Sequence, residues 1–280
     1  MSSRSLLSAS GLALLAASCL VEVRDLRVGS GGSGEGGEAP VTTVGGAGGT
    51  SPVTASCPDD MVHVVDADRG VDFCIDATEV TQASYLKFLA ALNGTPSQPT
   101  ACASNTELTH TPDGTCPDFA TASDLPVYCV DWCDARAYCE WAGRRLCRGL
   151  DGEALGFDEG PVAGEWHFAC SGGLSKPYPY GDSPDPSACH IDGMIDKAPV
   201  MSFPKCEGGY PGIFDMQGNV HEWVDACESD APTARCRVRG GGTYGSATQW
   251  ACNRVEDQMG VDRLDPDNRT VGIRCCRDPD

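Results

Sequence analysis

The sequence DWCDARAYCEWAGRRL, residues 131–146, contains a helix together with the residues that begin and end it. The helix is predicted from Trp132 to Ala142, because apolar residues recur there at helical spacing. Asp131 is placed to cap the N-terminus, and Gly143 can take the left-handed conformation that often ends a helix. One face of this helix carries Ala135, Tyr138, Cys139 and Ala142. That face is expected to pack on the core.

A second helix is predicted over Gln82–Leu92, where apolar residues again follow helical spacing. Thr81 can cap its start, and Gly94 can end it. Elsewhere the chain consists of short extended pieces divided by Gly, Pro and Asp, such as residues 61–65 and 73–75. This pattern predicts an α+β fold that is irregular and loop-rich. Such a domain loses much conformational entropy on folding for a modest core, so we expect cross-links to stabilise it.

The cysteine content indicates an oxidising compartment. The chain has 17 cysteines among 280 residues, which does not suit a reducing cytosol. They do not form CxxC repeats with zinc-finger spacing, so disulfides are favoured over a structural zinc array. The number is odd, and Cys19 is the candidate for the unpaired one, because the sixteen others can then pair completely.

The first residues predict an exported protein. Residues 1–18 have a basic start, an apolar core and small residues at the end, which is the organisation of a signal peptide. Cys19 follows Ala-Ala-Ser and resembles the acylated lipobox cysteine of bacterial lipoproteins; plain secretion is the alternative. Residues 19–56 are predicted to be a Gly-rich flexible tether, and residues 57–280 one folded domain. We therefore expect an extracytoplasmic protein, in the periplasm or at the cell surface, with a membrane anchor on Cys19.

The charge of the chain argues against two classes of partner. Forty Asp and Glu against 20 Lys and Arg give a formal net charge of −20. A chain of this charge repels nucleic acid and anionic lipid head groups. It tolerates cationic partners or calcium, but the charge identifies no function.

Several segments occur along the chain in a distinctive order. They are FCIDATEVT (73–81), the helix segment at 131–146, EW (165–166), YPYG (178–181), GIFDMQGNVHEW (212–223), RVRGGGTY (237–244) and GIRC (272–275). In this order, over about residues 60–277, they resemble the formylglycine-generating enzyme family, the sulfatase-modifying factors. The resemblance implies an irregular mixed domain related to C-type lectins, in agreement with the loop-rich pattern.

The resemblance also implies an activity that the residues of this chain do not support. Enzymes of the family oxidise a cysteine of a sulfatase to formylglycine with oxygen and a copper ion. Two thiolates hold the copper(I) there, as a soft metal requires. The corresponding positions here are Ser246 and Ala251. A shift of one residue brings Cys252 to the second position and leaves the first without a thiolate, so we do not expect copper.

Two disulfides follow from the resemblance. In family members, one disulfide joins the helix cysteine to the cysteine of the last motif. A second disulfide joins a later cysteine to one beyond the active-site loop. Here this implies Cys139–Cys275 and Cys170–Cys252. Two further pairs, Cys227–Cys236 and Cys102–Cys116, look like local loop staples, although connectivity cannot be deduced from sequence alone.

The resemblance implies a calcium site as well. The family holds one calcium ion with a Glu, an Asn and backbone carbonyls, and Glu79 and Asn219 occupy those two positions. Hard oxygen ligands of this kind suit calcium. The alternative is that Asn219 caps a turn and Glu79 pairs with an arginine.

Three functions are compatible with the sequence. The first is a non-catalytic module that binds a peptide or sugar in a groove, or acts as a scaffold. The groove residues would be Thr243, Tyr244, Ser246 and Trp250. The second is a copper-dependent oxidase with displaced ligands, for which the adjacent Cys275 and Cys276 offer a candidate free thiol. The third is a calcium-stabilised structural protein. The missing thiolate pair favours the first function, since fold alone assigns none.

Overall fold

The computed structural model describes residues 56–93, 98–105, 108, 116, 119, 123–191, 196–254, 260–262 and 270–280. The predicted signal peptide, Cys19 and nearly all of the predicted tether lie outside these residues, as does Gly94. No helix within the described ranges combines the length and the apolar character that a membrane crossing needs.

Both predicted helices form, and each ends one residue before the predicted end. Helix α1 spans Gln82–Ala91 and helix α2 spans Trp132–Trp141. Thr81 caps α1, since its Oγ1 accepts a hydrogen bond at 3.2 Å from the backbone N–H three residues later. Asp131 caps α2 in a reciprocal arrangement with Asp134, in which each carboxylate accepts the other residue's backbone N–H. The local capping residues therefore set where both helices begin.

A third helix, α3, spans Glu165–Cys170 and was not predicted. All six of its residues are buried. A helix that is buried on every side has no polar stripe, so it lacks the amphipathic pattern by which helices are recognised in sequences.

The described residues contain eight strands. They are β1 (Met61–Asp66), β2 (Val71–Asp76), β3 (Arg145–Leu146), β4 (His221–Cys227), β5 (Arg235–Arg239), β6 (Gly260–Asp262), β7 (Val271–Gly272) and β8 (Cys275–Arg277). The extended pieces predicted at 61–65 and 73–75 lie within β1 and β2. The short elements and long connections confirm an irregular, loop-rich α+β fold.

The strands form two four-stranded sheets, with the orders β1-β2-β8-β3 and β6-β5-β4-β7. The first sheet is antiparallel. In the second, β4 runs antiparallel to β5 and parallel to β7. Strand β8 lies between β2 and β3, so the last described segment of the chain is held in the interior of the first sheet.

Two tryptophans connect α2 to β4 through the core. Trp132 Nε1 donates a hydrogen bond to the Val224 carbonyl at 3.0 Å. Trp223 Nε1 donates to the Val130 carbonyl at 2.9 Å. Both rings are buried; Trp132 bonds to β4, and Trp223 bonds to the segment just before α2. These two hydrogen bonds hold α2 against the second sheet, which contains β4.

Every cysteine from Cys57 onward is in a disulfide, which leaves no free thiol among the described residues. The eight bridges are Cys57–Cys74, Cys102–Cys133, Cys116–Cys129, Cys139–Cys275, Cys147–Cys276, Cys170–Cys252, Cys189–Cys206 and Cys227–Cys236. The two pairs implied by the family resemblance are among them, as is the local staple Cys227–Cys236.

The predicted pair Cys102–Cys116 is wrong. Cys102 bonds instead to Cys133 in the first turn of α2, and Cys116 bonds to Cys129. Both Cys102 and Cys133 belong to the same buried cluster as the apolar faces of α1 and α2. Packing in three dimensions, which proximity along the chain does not report, therefore decides this pairing.

Adjacent cysteines in β8 bond to partners on opposite sides of the sheet. Cys275 bonds to Cys139 on α2, and Cys276 bonds to Cys147 just after β3. Successive side chains of a strand point to opposite faces, and these two cysteines accordingly lie in different hydrophobic clusters. Neither offers the free thiol that a displaced copper site would use.

Candidate functional site

The candidate site is the loop after β5, where glycines bring the main chain against a tryptophan. Gly240 and Gly241 have φ angles of +84° and +74°. A Cβ on Gly241 would lie 2.2 Å from Trp250 Cγ, so the close approach of the ring requires glycine. Trp250 Nε1 donates to the Tyr244 carbonyl at 2.7 Å, and its ring meets that of His221 edge-on at a centroid distance of 5.1 Å.

The four predicted groove residues differ in their exposure. Tyr244 is 56% exposed, and Ser246 and Trp250 are half-buried. Thr243 is fully buried and its hydroxyl has no hydrogen-bond partner, so it does not line an open groove as predicted. The Thr243 side chain packs into the interior, whereas that of the next residue, Tyr244, faces solvent.

The two positions that correspond to copper ligands carry no thiolate. The Ser246 hydroxyl lies 2.8 Å from Thr248 Oγ1, and its backbone N–H donates to Gln249 Oε1 at 2.8 Å. Ala251 offers a methyl group. Cys252 is bonded to Cys170 and cannot act as a thiolate. This donor set does not fit copper(I), which needs soft sulfur ligands.

A small cavity of about 20 Å³ lies beside the Trp250 ring. Its walls include Trp166, His221, Arg239, Gly241, Trp250 and Cys252. A volume of this size is about what one water-sized group occupies. The lining also includes Gln249, which is exposed, so the cavity extends to the protein surface.

Arg239 is the principal charged group of this cavity, and the sequence analysis did not single it out. The residue is only 5% exposed, and its Nη1 is buried without a hydrogen-bond partner. Burial, and secondly the neighbouring charge of Arg237, lower the pKa of Arg239 to about 10. An arginine directly before three glycines is visible in the sequence, but only the fold shows that no carboxylate among the described residues pairs with it.

A buried ion pair supports the wall of the cavity. Arg274 and Glu222 are both fully buried, with 2.8 Å between Arg274 Nη2 and Glu222 Oε1. Trp166 Nε1 donates to the same carboxylate. Arg274 also donates to the carbonyls of Asp76 and Phe214, at 2.8 and 2.7 Å. The Trp166 ring is therefore positioned by a charge pair that has no contact with solvent.

The predicted calcium residues contact each other directly. Asn219 Nδ2 donates to Glu79 Oε2 at 2.8 Å, and Asn219 Oδ1 accepts from the Ala198 N–H at 3.0 Å. Glu79 Oε1 accepts from the Val220 N–H at 3.2 Å. Burial and the nearby carboxylates of Asp215 and Glu222 raise the pKa of Glu79 well above its usual value. These hydrogen bonds satisfy both side chains within the protein, and calcium binding stays a prediction.

His167 makes folding stability depend on pH. The side chain is buried on α3, and neither ring nitrogen has a hydrogen-bond partner. Burial, and then the charge of Arg239, lower its pKa from 6.5 to about 4. As pH falls, the unfolded state therefore binds the proton first, and the stability contributed by the neutral imidazole is lost from about pH 6.5 downward.

We expect His167→Gln to reduce the loss of stability on mild acidification. Between pH 7.5 and 5.5 the native histidine should account for a loss of about 1 kcal/mol of unfolding free energy. The variant lacks the histidine and should not show this loss. Urea unfolding in sulfonate buffers at both pH values measures the difference. If native protein and variant lose the same stability between these pH values, the histidine is protonated in the folded state.

Comparison with known proteins identifies the family. The model of the sulfatase-modifying factor enzyme 1-like domain matches residues 37–279. The inactive C-alpha-formylglycine-generating enzyme 2 of Bos taurus is 32% identical over 168 residues, which cover 54% of this chain and 50% of that protein. The formylglycine-generating enzyme of Streptomyces coelicolor is 30% identical over 199 residues, covering 60% and 58%. The chain spans about half the length of the curated relatives it matches.

The likeness extends to three-dimensional structure. The structure of PvdO from Pseudomonas aeruginosa aligns with a TM-score of 0.50 over 74% of this chain and 80% of that chain. The sequence identity is 20%, so this is a similarity of fold alone. Together with the match over residues 37–279, it confirms what the order of motifs predicted: the chain belongs to the formylglycine-generating enzyme family of sulfatase-modifying factors.

Proposed function

We propose that this chain is a non-catalytic binding or scaffold module of its family, carried on an exported lipoprotein. The observation that carries the proposal is the pair of residues at the copper-ligand positions, Ser246 and Ala251. Copper(I) chemistry needs thiolates. All the cysteines of the described domain are in disulfides, so a displaced ligand pair has no thiol to use.

A copper-dependent oxidase with displaced ligands is the second candidate. It would need two free thiols near the Trp250 loop. The nearest cysteine in sequence, Cys252, is bonded to Cys170. A relative from Bos taurus carries the word inactive in its name, so a family member without the oxidase activity has precedent. Both points favour the non-catalytic module.

The surface around Tyr244 is the proposed binding surface. Tyr244 presents an exposed aromatic ring, and Trp250 and Ser246 beside it are half-buried. Aromatic rings next to hydroxyl groups suit a peptide or a glycan, because one part of the ligand packs on the ring while another forms hydrogen bonds. Thr243 is not part of this surface, since it is buried.

An extracytoplasmic location and a lipid on Cys19 complete the proposal. The eight disulfides suit an oxidising compartment, and residues 1–18 have the organisation of a signal peptide. Fractionation tests the anchor: the native chain is expected in the membrane fraction, and Cys19→Ser in the soluble fraction. A native chain in the soluble fraction would contradict lipidation.

The decisive experiment compares the native chain with a variant that restores the thiolates. We expect the native chain to show no free thiol after denaturation, no stoichiometric copper(I), and no oxidation of a cysteine peptide of the sulfatase type. The matched variant Ser246→Cys/Ala251→Cys is expected to bind one copper(I) per chain. Two free thiols with one copper in the native chain, and oxidation of the peptide, would overturn the proposal in favour of the oxidase.

A calcium titration tests the structural alternative. A purely structural, calcium-stabilised protein would lose stability with EDTA and bind no ligand at the Tyr244 surface. Since Glu79 and Asn219 satisfy each other by hydrogen bonds, we expect EDTA to change Tm by less than 2 °C. A larger fall in Tm that Glu79→Gln abolishes would assign calcium to this pair.

A further inference from the structure

The cavity beside Trp250 has a composition that is unusual for this protein. The chain as a whole carries a net charge of −20. Among the described residues that line the cavity there is no Asp or Glu, whereas the buried Arg239 is present. The other walls are largely the aromatic rings of Trp166, His221 and Trp250. A positively charged, aromatic-walled pocket in an acidic protein is a place where a negative group can be favoured locally.

Arg239 has no anionic partner within the described part of the chain. No ion pair joins it to any carboxylate among the described residues, and the charge that acts on it most strongly is the like charge of Arg237. Its Nη1 is buried and unpaired. Buried charges in proteins are ordinarily paired and hydrogen-bonded, because leaving one unpaired is unfavourable. His167, close enough to be affected by this charge, is also buried with both ring nitrogens unpaired.

The size of the cavity limits what can pair with Arg239. The enclosed part of the cavity, about 20 Å³, holds one water-sized group, so neither a phosphate ester with its substituents nor a sugar ring can enter it. A carboxylate needs to place only one oxygen in this space to accept a charge-assisted hydrogen bond from Arg239 Nη1, while the rest of the ligand stays outside. The exposed Gln249 in the lining indicates a route of entry from the Tyr244 surface.

We propose that the Arg239 cavity is a carboxylate-binding site, which receives the terminal or side-chain carboxylate of a peptide bound at the Tyr244 surface. This inference rests on the proposed binding function and specifies its ligand class. A free small carboxylate offers the same chemistry, and acetate is therefore the simplest probe. The carboxylate pairs with the guanidinium and stabilises the folded state by RT ln(1 + L/Kd), where L is the concentration of free carboxylate.

The test measures Tm of the full chain at pH 7 in sodium acetate and in sodium chloride of equal ionic strength. We expect acetate at about ten times its Kd to raise Tm by about 3–5 °C above chloride. Acetyl-trialanine with a free C-terminal carboxylate should do the same, and the amidated peptide should not. A response to acetate alone would assign the site to free carboxylates, which still supports the carboxylate chemistry.

Variants of one strand provide the controls. Arg239→Met is expected to have a higher Tm than the native chain without acetate, because an unpaired buried charge is removed, and to lose the response to acetate. Arg239→Lys keeps the charge but lacks the planar guanidinium, so it should bind acetate at least tenfold more weakly. Arg235 lies on the same strand, and its guanidinium bonds to Glu228 at the surface. The Tm of Arg235→Gln should therefore respond to acetate as the native chain does.

Two results would overturn the inference: equal effects of acetate and chloride on the native chain, or an acetate response that persists in Arg239→Met. The proposed function fails separately, through copper and free thiols in the native chain. A chain that binds no copper and gives no acetate response would therefore remain a non-catalytic module without this site.

Discussion

Removing both disulfides that hold β8 is expected to cost about 7 kcal/mol of unfolding free energy, whereas removing either one alone should cost about 3 kcal/mol. Cys139–Cys275 and Cys147–Cys276 join the same two regions of the chain. With one of them in place, the other closes a ring of only about ten residues, which the chain-entropy model values at about 3 kcal/mol. With neither in place, the shortest covalent path between these two regions runs through Cys170–Cys252 and contains about 55 residues. A β8 bridge that closes this path into a ring stabilises the fold by about 4 kcal/mol, so the second loss costs more than the first.

Guanidinium unfolding of Cys139→Ala/Cys275→Ala, Cys147→Ala/Cys276→Ala and the combined variant measures this coupling as a double-mutant cycle. The matched control combines Cys139→Ala/Cys275→Ala with loss of the local bridge Cys227–Cys236, which closes a separate hairpin between β4 and β5. Those two effects should add. If the two β8 bridges also add, the stabilisation does not come from loop closure.

Arg274→Met is expected to destabilise the domain by about 3–5 kcal/mol at pH 7.5, because it leaves buried carboxylates without their cation. Arg274 pairs with Glu222 and also affects the carboxyl groups of Glu79 and Asp215. Burial raises the pKa of Glu79 and of Asp215. A carboxyl group with a raised folded pKa contributes stability at low pH that is lost as pH rises. The deficit of the variant should therefore shrink when the pH is lowered to 5.5.

The control for this prediction is Arg136→Met on α2. Arg136 pairs with Glu140 at the surface, with 2.7 Å between Nε and Oε1, and a pair of this kind contributes about 1 kcal/mol or less. The double variant Arg274→Met/Glu222→Gln should recover part of the loss. A deficit of Arg274→Met that is the same at pH 7.5 and pH 5.5 would assign the loss to packing rather than to charge.

Local signals in the sequence were sufficient for helices α1 and α2 and for the family. The capping residues Thr81 and Asp131 act within three residues of the helix start, so spacing alone predicts them. The bridges Cys139–Cys275 and Cys170–Cys252 span 136 and 82 residues, and only the family resemblance could supply them. The copper-ligand positions also follow from the order of motifs, because a substituted ligand is visible as a change of residue type.

The parts that sequence reasoning missed depend on what a residue meets in space. Cys102 pairs with Cys133 because both enter one core, although Cys116 is closer to Cys102 along the chain. Thr243 is buried although Tyr244 beside it is exposed. Arg239 became a candidate only when its burial and the absence of a carboxylate partner among the described residues were known. Each case is a tertiary contact with no local signature.

The adjacent cysteines of β8 have a consequence for how the protein matures. A slip of this strand by one residue would exchange the faces of Cys275 and Cys276. The exchanged bridges, Cys139–Cys276 and Cys147–Cys275, would close loops of almost the same length as the native ones, so loop entropy does not favour the correct pairs. Only the docking of β8 between β2 and β3 distinguishes them. Chains that oxidise before this strand has docked therefore depend on thiol–disulfide exchange to reach the native pairing.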